Sequence, residues 1–309
     1  LLRDSANNKN IKLKMGYNIS ALPTFQTEGK AFVVKSILES QTIKMLNDAG
    51  SFDPTAKGIN SIQLLDTDVV IQDGQACGFN ANGGAVLSQA TLTIKPLKIN
   101  QEYCSRDLEK TWAKGELQKG QDYTDMAFYS DIAELNSKKA SLELEKMVWQ
   151  GDTGLTQSSS LKMIDGFIKQ IKAGSYVNLS GATGSTTLQK LQKVYSLMPI
   201  EVRTQDDFRI FVGKDVFDQY VADLAEKNLF NLPEEGTILG TTGKYVAVNG
   251  LNGGHVVAAR LRNLQSGGEM TDIDFKSWYS NDDDTVKISS RFSLGVVPVY
   301  VNEIGYGKF

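Results

Sequence analysis

The rhythm of hydrophobic and polar positions changes several times along the chain. Residues 1 to 58 carry isolated apolar side chains in a polar background. Between Gly29 and Leu46, the positions Ala31, Val34, Ile37, Leu38 and Leu46 allow one or two short helices and no core of their own. This stretch is therefore expected to be an extended arm that needs a partner to bury its apolar residues. From Ile62 to Ile71 the pattern turns strand-like, with Asp66 and Asp68 on one face and Leu65, Thr67 and Val69 on the other. Asp73 to Gly84 holds four glycines and two asparagines and reads as a turn-rich tip. Val86 to Ile99 then reads as a second strand, carrying Leu92, Ile94, Leu97 and Ile99, with Pro96 marking a sheet edge. Strand, tip and strand make a long β-hairpin, marginal in water unless it rests on something else.

Tyr103 to Leu117 predicts a short helix around Leu108, Trp112 and Leu117. The strongest element is a helix over residues 124–149. Thr124 or Asp125 caps it, Tyr129, Ile132, Ala133, Ala140, Leu144, Met147 and Val148 form a stripe, and Leu135 and Leu142 form a flanking face. It would span roughly 40 Å and stop at Gly151. Two apolar faces predict structure on both sides. A short helix or strand is expected at Ile164 to Ile171, a helix at Thr186 to Met198 stopped by Pro199, a strand at Phe208 to Val212 and a helix at Val216 to Lys227. These make a compact α/β unit. The last third is β-rich, with strands expected at Tyr245 to Val248, His255 to Ala259, Phe275 to Tyr279, Thr285 to Gly295 and Val297 to Ile304. Asn281 to Asp284 supplies a hairpin turn.

The balance of 33 Lys and Arg against 36 Asp and Glu, a formal charge of -3, excludes an overtly basic nucleic-acid binder. The apolar run from Leu294 to Val301 is far too short for a membrane span, and residues 1 to 15 show no apolar signal region. Cys77 and Cys104 set no disulfide framework and point to a reducing cytoplasm. The single histidine, His255, excludes multi-histidine metal sites and argues against the usual Ser–His or Cys–His relays. In Gly240 to Tyr245 a phosphate loop would need Ser or Thr where Tyr245 stands, so a glycine-rich turn is the simpler account. Asp282, Asp283 and Asp284 lack the alternating spacing and late Glu of a calcium loop. Asp66 and Asp68 form a carboxylate pair without sugar-stacking aromatics nearby. His255 lies in an apolar stretch and reads as a packed strand histidine, and Cys77 has no cation close in sequence to favour a thiolate. Catalytic, cofactor and metal residues are all expected to be absent. What remains is architecture suited to a subunit that completes itself against its own copies.

The run Leu144-Glu145-Lys146-Met147-Val148-Trp149-Gln150-Gly151-Asp152 resembles the end of the long helix in tailed-phage major capsid proteins of the Hong Kong 97 fold. Its continuation into Asp165-Gly166-Phe167 is similar to capsid proteins of crAss-like and other phages of Bacteroidota. Asp66-Thr67-Asp68, Gln72-Asp73-Gly74, Ala76-Cys77-Gly78-Phe79, Lys95-Pro96-Leu97-Lys98, Phe211-Val212-Gly213-Lys214 and Trp278-Tyr279-Ser280 resemble the same set in the same order. The likeness runs from Ile62 to Phe309. It implies an α+β fold with an N-terminal arm (1–58), an extended-loop hairpin (59–99), a peripheral domain with the spine helix (100–176), an axial domain (177–274) and return strands of the peripheral domain (275–309).

The resemblance implies a major capsid protein that builds an icosahedral shell of hexamers and pentamers around double-stranded DNA, with no active site and no cofactor. Implied partners are copies of the chain, a portal, head auxiliary or decoration proteins, and packaged DNA in weak non-specific contact. The place is the virion capsid, assembled in the bacterial host cytoplasm, with no membrane. Interface residues are expected at the loop tip, Asp73, Cys77, Gly78, Phe79 and Asn80, and spine core residues at Tyr129, Ile132, Leu144 and Trp149. A chain that begins at Leu1 fits either removal of a preceding segment or a start lying upstream. Two other classes compete: a bacterial encapsulin shell, which resembles the same fold, and a glycan-acting enzyme or binding module using the acidic residues above.

Overall fold

A computed structural model describes residues 40–71, 83–104, 126–156, 160–227, 236–238, 241, 243–269, 274–280, 282–283 and 285–309. The expected arm from Leu1 to Glu39, most of the expected helix after Tyr103, and the loop tip lie outside these residues.

Residues 40–58 are not an extended arm. Helix α1 (Gln41–Asp48) buries Thr42, Ile43 and Leu46 on one face, and Gly50 turns the chain at φ 71°. Strand β1 (Phe52–Asp53) then pairs in parallel with a strand more than 200 residues away, Phe52 opposite Ser266. Ile43, Leu46 and Phe52 enter the main core beside Trp149 and Leu264. Their partners come from the far end of the chain, so a local reading finds too few apolar residues for a core.

The expected hairpin divides in two. Strands β2 (Ile59–Thr67) and β3 (Ala85–Thr93) pair antiparallel as a two-stranded ribbon, Ile59 opposite Thr93 and Thr67 opposite Ala85. The chain breaks at Ile94, whose N–H donates to Gly58 O at 2.7 Å. Strand β4 (Lys95–Cys104) then joins a different sheet, and Tyr103 and Cys104 end this strand rather than start a helix. The break has a signature in the pattern. Leu92 and Ile94 are buried at even positions, whereas β4 turns its odd positions, Leu97 and Ile99 among them, toward the core. A strand cannot change phase without a bend or a bulge.

Helix α2 (Met126–Gln150) is the spine, 25 residues and ~37 Å long. Leu144, Met147, Val148 and Trp149 are buried. Tyr129 and Ile132 fall within the helix, their side chains outside the described part. Leu142 is 46% exposed, so at that position the flanking face is open rather than covered. Gly151 ends the helix by close approach rather than by left-handed backbone. A Cβ there would lie 2.4 Å from Met147 O and 2.5 Å from Ile164 O. Gly166 N–H donates to Gly151 O at 2.9 Å. Helix α3 (Phe167–Ala173) follows, burying Phe167, Ile168 and Ile171.

Next come the short strand β5 (Val177–Asn178), helices α4 (Thr187–Leu197) and α5 (Ile200–Arg203), strand β6 (Phe208–Gly213), helix α6 (Lys214–Glu226), and strands β7 (Lys244–Val248), β8 (His255–Arg260) and β9 (Leu264–Gly267). Thr186 caps α4 by accepting from Gln189 N–H. Strands β10 (Asp274–Ser280) and β11 (Thr285–Pro298) form the expected hairpin, Ser280 opposite Thr285. The 14-residue β11 organises one five-stranded sheet, pairing with β4, β10 and, through Gly295–Pro298, with β9. It runs straight through Gly295, and Val301–Glu303 is a 3-10 turn, so no separate strand spans Val297 to Ile304.

The last strand, β12 (Gly305–Lys308), leaves that region and enters a second sheet of order β5-β12-β8-β6-β7. The segment 275–309 therefore contributes to both sheets. A Cβ on Gly305 would lie 2.6 Å from the Met198 sulfur, and one on Gly307 2.8 Å from Leu179 Cβ. Two of the four residues are glycines because nothing larger fits beneath Leu179 and Met198, and this erases the strand's pattern.

The second sheet is buried on both faces. Ile210, Val212, Tyr245, Val256 and Ala258 point into a core with α4 and α6. Their neighbours Phe211, Val248, Val257, Ala259 and Tyr306 point into the core of the spine helix. A sheet covered on both sides reads as continuous apolar runs, as His255 to Ala259 does. The half built on α4 and α6 and the half built on the spine helix thus share one sheet.

Trp149 is wholly buried, and its truncation removes contacts to several elements at once. Trp149→Ala is expected to cost about 3–5 kcal/mol of stability. Leu142→Ala on the open face should cost less than about 1 kcal/mol. Urea denaturation midpoints of the two variants check this.

Candidate assembly surfaces and the clasp behind them

The residues that resemble the capsid family at the end of the spine form one clasp. The Trp149 ring packs in tilted geometry against Phe167 at 5.3 Å and Phe211 at 5.2 Å between centroids. Gln150 Nε2 donates to Gly250 O (2.6 Å) and Asn252 O (3.2 Å), tying the helix end to the loop before β8. Gly151 lies against Gly166. Lys169 Nζ reaches Asp152 Oδ1 at 2.8 Å and Asp165 Oδ1 at 2.6 Å. The Lys169 ammonium, then the Gly154 N–H, hold the Asp152 carboxyl below its usual range. The two short motifs, 13 residues apart at their aspartates, are the two halves of this turn.

A second group escaped the sequence reading. Glu145 is only 2% exposed and lies one helical turn before Trp149. Its Oε2 accepts from Ser40 Oγ at 2.5 Å and from Thr42 N–H at 3.0 Å. Its Oε1 accepts from Thr42 Oγ1 and from Trp149 Nε1, the latter at 3.2 Å. Trp149 Nε1 also donates to Thr42 Oγ1 at 2.7 Å. The carboxylate thus caps α1, whose own N-cap Ser40 donates instead of accepting. A charged residue inside the apolar stripe Leu144, Met147, Val148 was the available signal.

Of the expected interface residues, Asp73, Cys77, Gly78, Phe79 and Asn80 lie outside the described residues. Leu144 and Trp149 come together in the main core. The ribbon leading to the tip carries the densest exposed apolar surface described. Ile59, Leu65 and Leu87 share one face, with Leu65 directly opposite Leu87 and each 60% or more exposed. Val86 is 66% exposed on the other face, and Val69 and Ile71 beyond β2 are 80% and 95% exposed. The root is covered, where Leu92 and Ile94 pack with Ala56 and Val297, and Leu64, opposite Ser88, is also buried. Ribbon and root differ because β2 and β3 pair with each other and with no third strand among the described residues.

The candidate chemical groups are scattered. Asp68 sits at the outer end of the ribbon, while Asp283 lies at the β10–β11 turn, its carboxyl held low by Lys287 and then Ser280. Cys104 is exposed at the end of β4. The Gly240 to Tyr245 run leads into β7, with Ile238 N–H donating to Gly243 O and Tyr245 buried as core. Burial pushes the Tyr245 and Tyr220 phenols upward, away from any role as bases near neutral pH. Among the described residues no group of three or more His, Cys, Asp or Glu is placed to hold a metal ion. No described helix is long and apolar enough to cross a membrane.

His255 is half-buried, with Nδ1 2.9 Å from the Tyr306 hydroxyl, as expected for a packed strand histidine. Burial first, then the Lys308 and Lys172 ammoniums, hold its pKa below the ordinary value; Asp215 opposes them.

No protein-family model matches the chain, and no curated protein sequence matches it. Solved structures do match. A chain of the satellite phage P4 procapsid that includes the size determination (Sid) protein aligns with a TM-score of 0.56 at 12% identity, over 93% of this chain and 98% of its own. A chain of the capsid of an empty GTA particle gives 0.56 at 11% identity, over 86% and 89%. A chain of the virus-like particle from Pyrococcus furiosus gives 0.52 at 10% identity, over 92% and 99%. The protein thus has the mixed helix-and-strand fold of phage capsid subunits, the class that its motifs resembled. At these identities the likeness defines the fold.

The histidine yields a pH dependence. The unfolded chain takes up a proton as pH falls through about 6.5, before the folded chain does. Stability present above that pH is therefore lost between it and the lower folded value. His255→Gln should flatten the decline in denaturation midpoint between about pH 7 and pH 5. An unchanged slope would show that His255 does not carry the effect.

Proposed function

We propose that this chain is the major capsid protein of a tailed bacteriophage, self-assembling as hexamers and pentamers into an icosahedral shell around double-stranded DNA. One observation carries the proposal: a chain with the capsid fold over nearly its whole length extends a two-stranded ribbon that exposes Leu65 and Leu87 on one face and Val86 on the other. Exposed apolar patches of this kind mark protein contacts. A second copy covers the ribbon, which staples neighbours, and the α4–α6 half packs around the five- and six-fold centres. The loop tip residues Asp73 and Cys77 to Asn80 lie at that contact. Tiling of this type is obligate and needs no catalytic residue. Portal, auxiliary and decoration proteins complete the head in the virion, which is assembled in the host cytoplasm. The net charge of -3 suits a lining that holds DNA weakly, because a strongly basic wall would fix it through phosphate contacts.

A cargo-enclosing encapsulin shell, which resembles the same fold, is the second reading; the virus-like particle from Pyrococcus furiosus fits it less well than the capsid reading. Electron microscopy of the purified protein, together with assay of nuclease-protected DNA from infected cells, separates the two. Double-stranded DNA inside the shells supports the capsid reading; protein cargo without DNA supports the encapsulin. The double variant Leu65→Ser, Leu87→Ser should leave a folded subunit by circular dichroism while abolishing shells in micrographs. Normal shells from that variant would remove the staple. Asp66→Asn, Asp283→Asn and His255→Gln should each leave particle yield within a few-fold of the parent, and loss of a hydrolytic activity in any of them would point to the enzyme class instead.

A further inference from the structure

Glu145 presents two carboxylate oxygens to four neutral donors: Ser40 Oγ, Thr42 N–H, Thr42 Oγ1 and Trp149 Nε1. Three of the four belong to the segment that begins at Ser40. That segment is a strap. From α1 it runs into β1, which is tied to β9 by Ser266 N–H to Ser51 O and Gly268 N–H to Asp53 O, each at 3.0 Å. Beyond β1, Ala56 forms one wall of the small core under the ribbon, with Leu92, Ile94 and Val297. The floor is Gly267, where an added Cβ would lie 3.0 Å from both Ala56 Cβ and Leu92 Cδ2. Lys57 pairs with Glu269, and Gly58 O accepts from Ile94 N–H at 2.7 Å. The strap therefore holds the spine helix at one end and the ribbon's root at the other.

We propose that the Glu145 carboxylate is a latch that couples the strap to the ribbon: undoing it at the spine helix loosens the root of the ribbon some 15 residues further along the chain, while the shared sheet stays folded. Charge and acceptor geometry are what matter. A glutamine of the same size turns one oxygen into a donor that faces donors, leaving buried groups unpaired. The coupling is a property of the subunit and stands whether or not the chain builds a shell.

Hydrogen–deuterium exchange on the full chain tests this with two variants. Glu145→Gln alters the spine side of the latch. Thr42→Val removes one hydroxyl on the strap side; it changes no spine residue, and Trp149 Nε1, which loses that acceptor, keeps Glu145 Oε1. In both, amides of residues 40–58 should exchange at least about ten-fold faster, the factor set by one lost charge-assisted hydrogen bond. Residues 90–97 and 264–268 should accelerate with them, while 208–213 and 244–260 keep the parent's protection. Acceleration confined to 40–48 would overturn the coupling. No acceleration would overturn the latch. Uniform acceleration that includes the shared sheet, in both variants, would make Glu145 an ordinary part of the core and overturn the proposal.

Discussion

The structure depends on one buried indole. Trp149 lies where four pieces of the chain meet: its own spine helix, α3 through Phe167, the shared sheet through Phe211, and the strap through Thr42. A buried Trp brings a large apolar surface and one N–H that must find an acceptor. The apolar part is met by two tilted aromatic rings. The N–H is met by Thr42 and Glu145, which ties a residue at the start of the described chain to one near its middle. Even the close approach of Gly250 follows from it, since a Cβ there would lie 2.4 Å from the Trp149 ring. Elements far apart in sequence are positioned against one side chain, and each loses its seat if that side chain is cut back.

The second constraint is the sheet covered on both faces. Because Ile210, Val212, Val256 and Ala258 serve one core and Phe211, Val257 and Ala259 the other, the α4–α6 half cannot move relative to the spine without opening both. Strand β12 strengthens this, carrying the chain's end back between β5 and β8. The subunit is rigid where the sheet is shared. The ribbon lies outside it, rooted by Ala56, Leu92, Ile94 and Val297 on glycine floors and left apolar beyond. Among the described residues, a stiff body thus carries a ribbon with exposed apolar side chains. The proposed function follows from that contrast, with no reactive group required.

The clasp at Gly151 and Gly166 gives a physical reason for two of the motifs that carried the resemblance. A pair of glycines in backbone contact, with two aspartates sharing Lys169, leaves little freedom to substitute.

Elements with dense, regular periodicity were legible in the sequence: the spine helix, the helices from Thr187 and Lys214, the strand at Phe208, and the Asp274–Pro298 hairpin. Each takes its form from near neighbours in the chain, so local spacing contains the answer. His255 as a packed strand residue was legible for the same reason. The division of the hairpin at Ile94 was written as a phase change between Leu92 and Leu97, yet only pairing with β11 turns that change into two sheets. Three features were decided by tertiary structure alone. Residues 40–58 became a strap because their partners, Trp149 and β9, lie about 100 and 200 residues on. Gly305 to Lys308 became a central strand because the space beneath Leu179 and Met198 admits only glycine. Glu145 became a cap for α1 because folding brought four donors to it. Sequence spacing reports what a residue's neighbours along the chain require; what its neighbours across the core require appears only once the chain has closed.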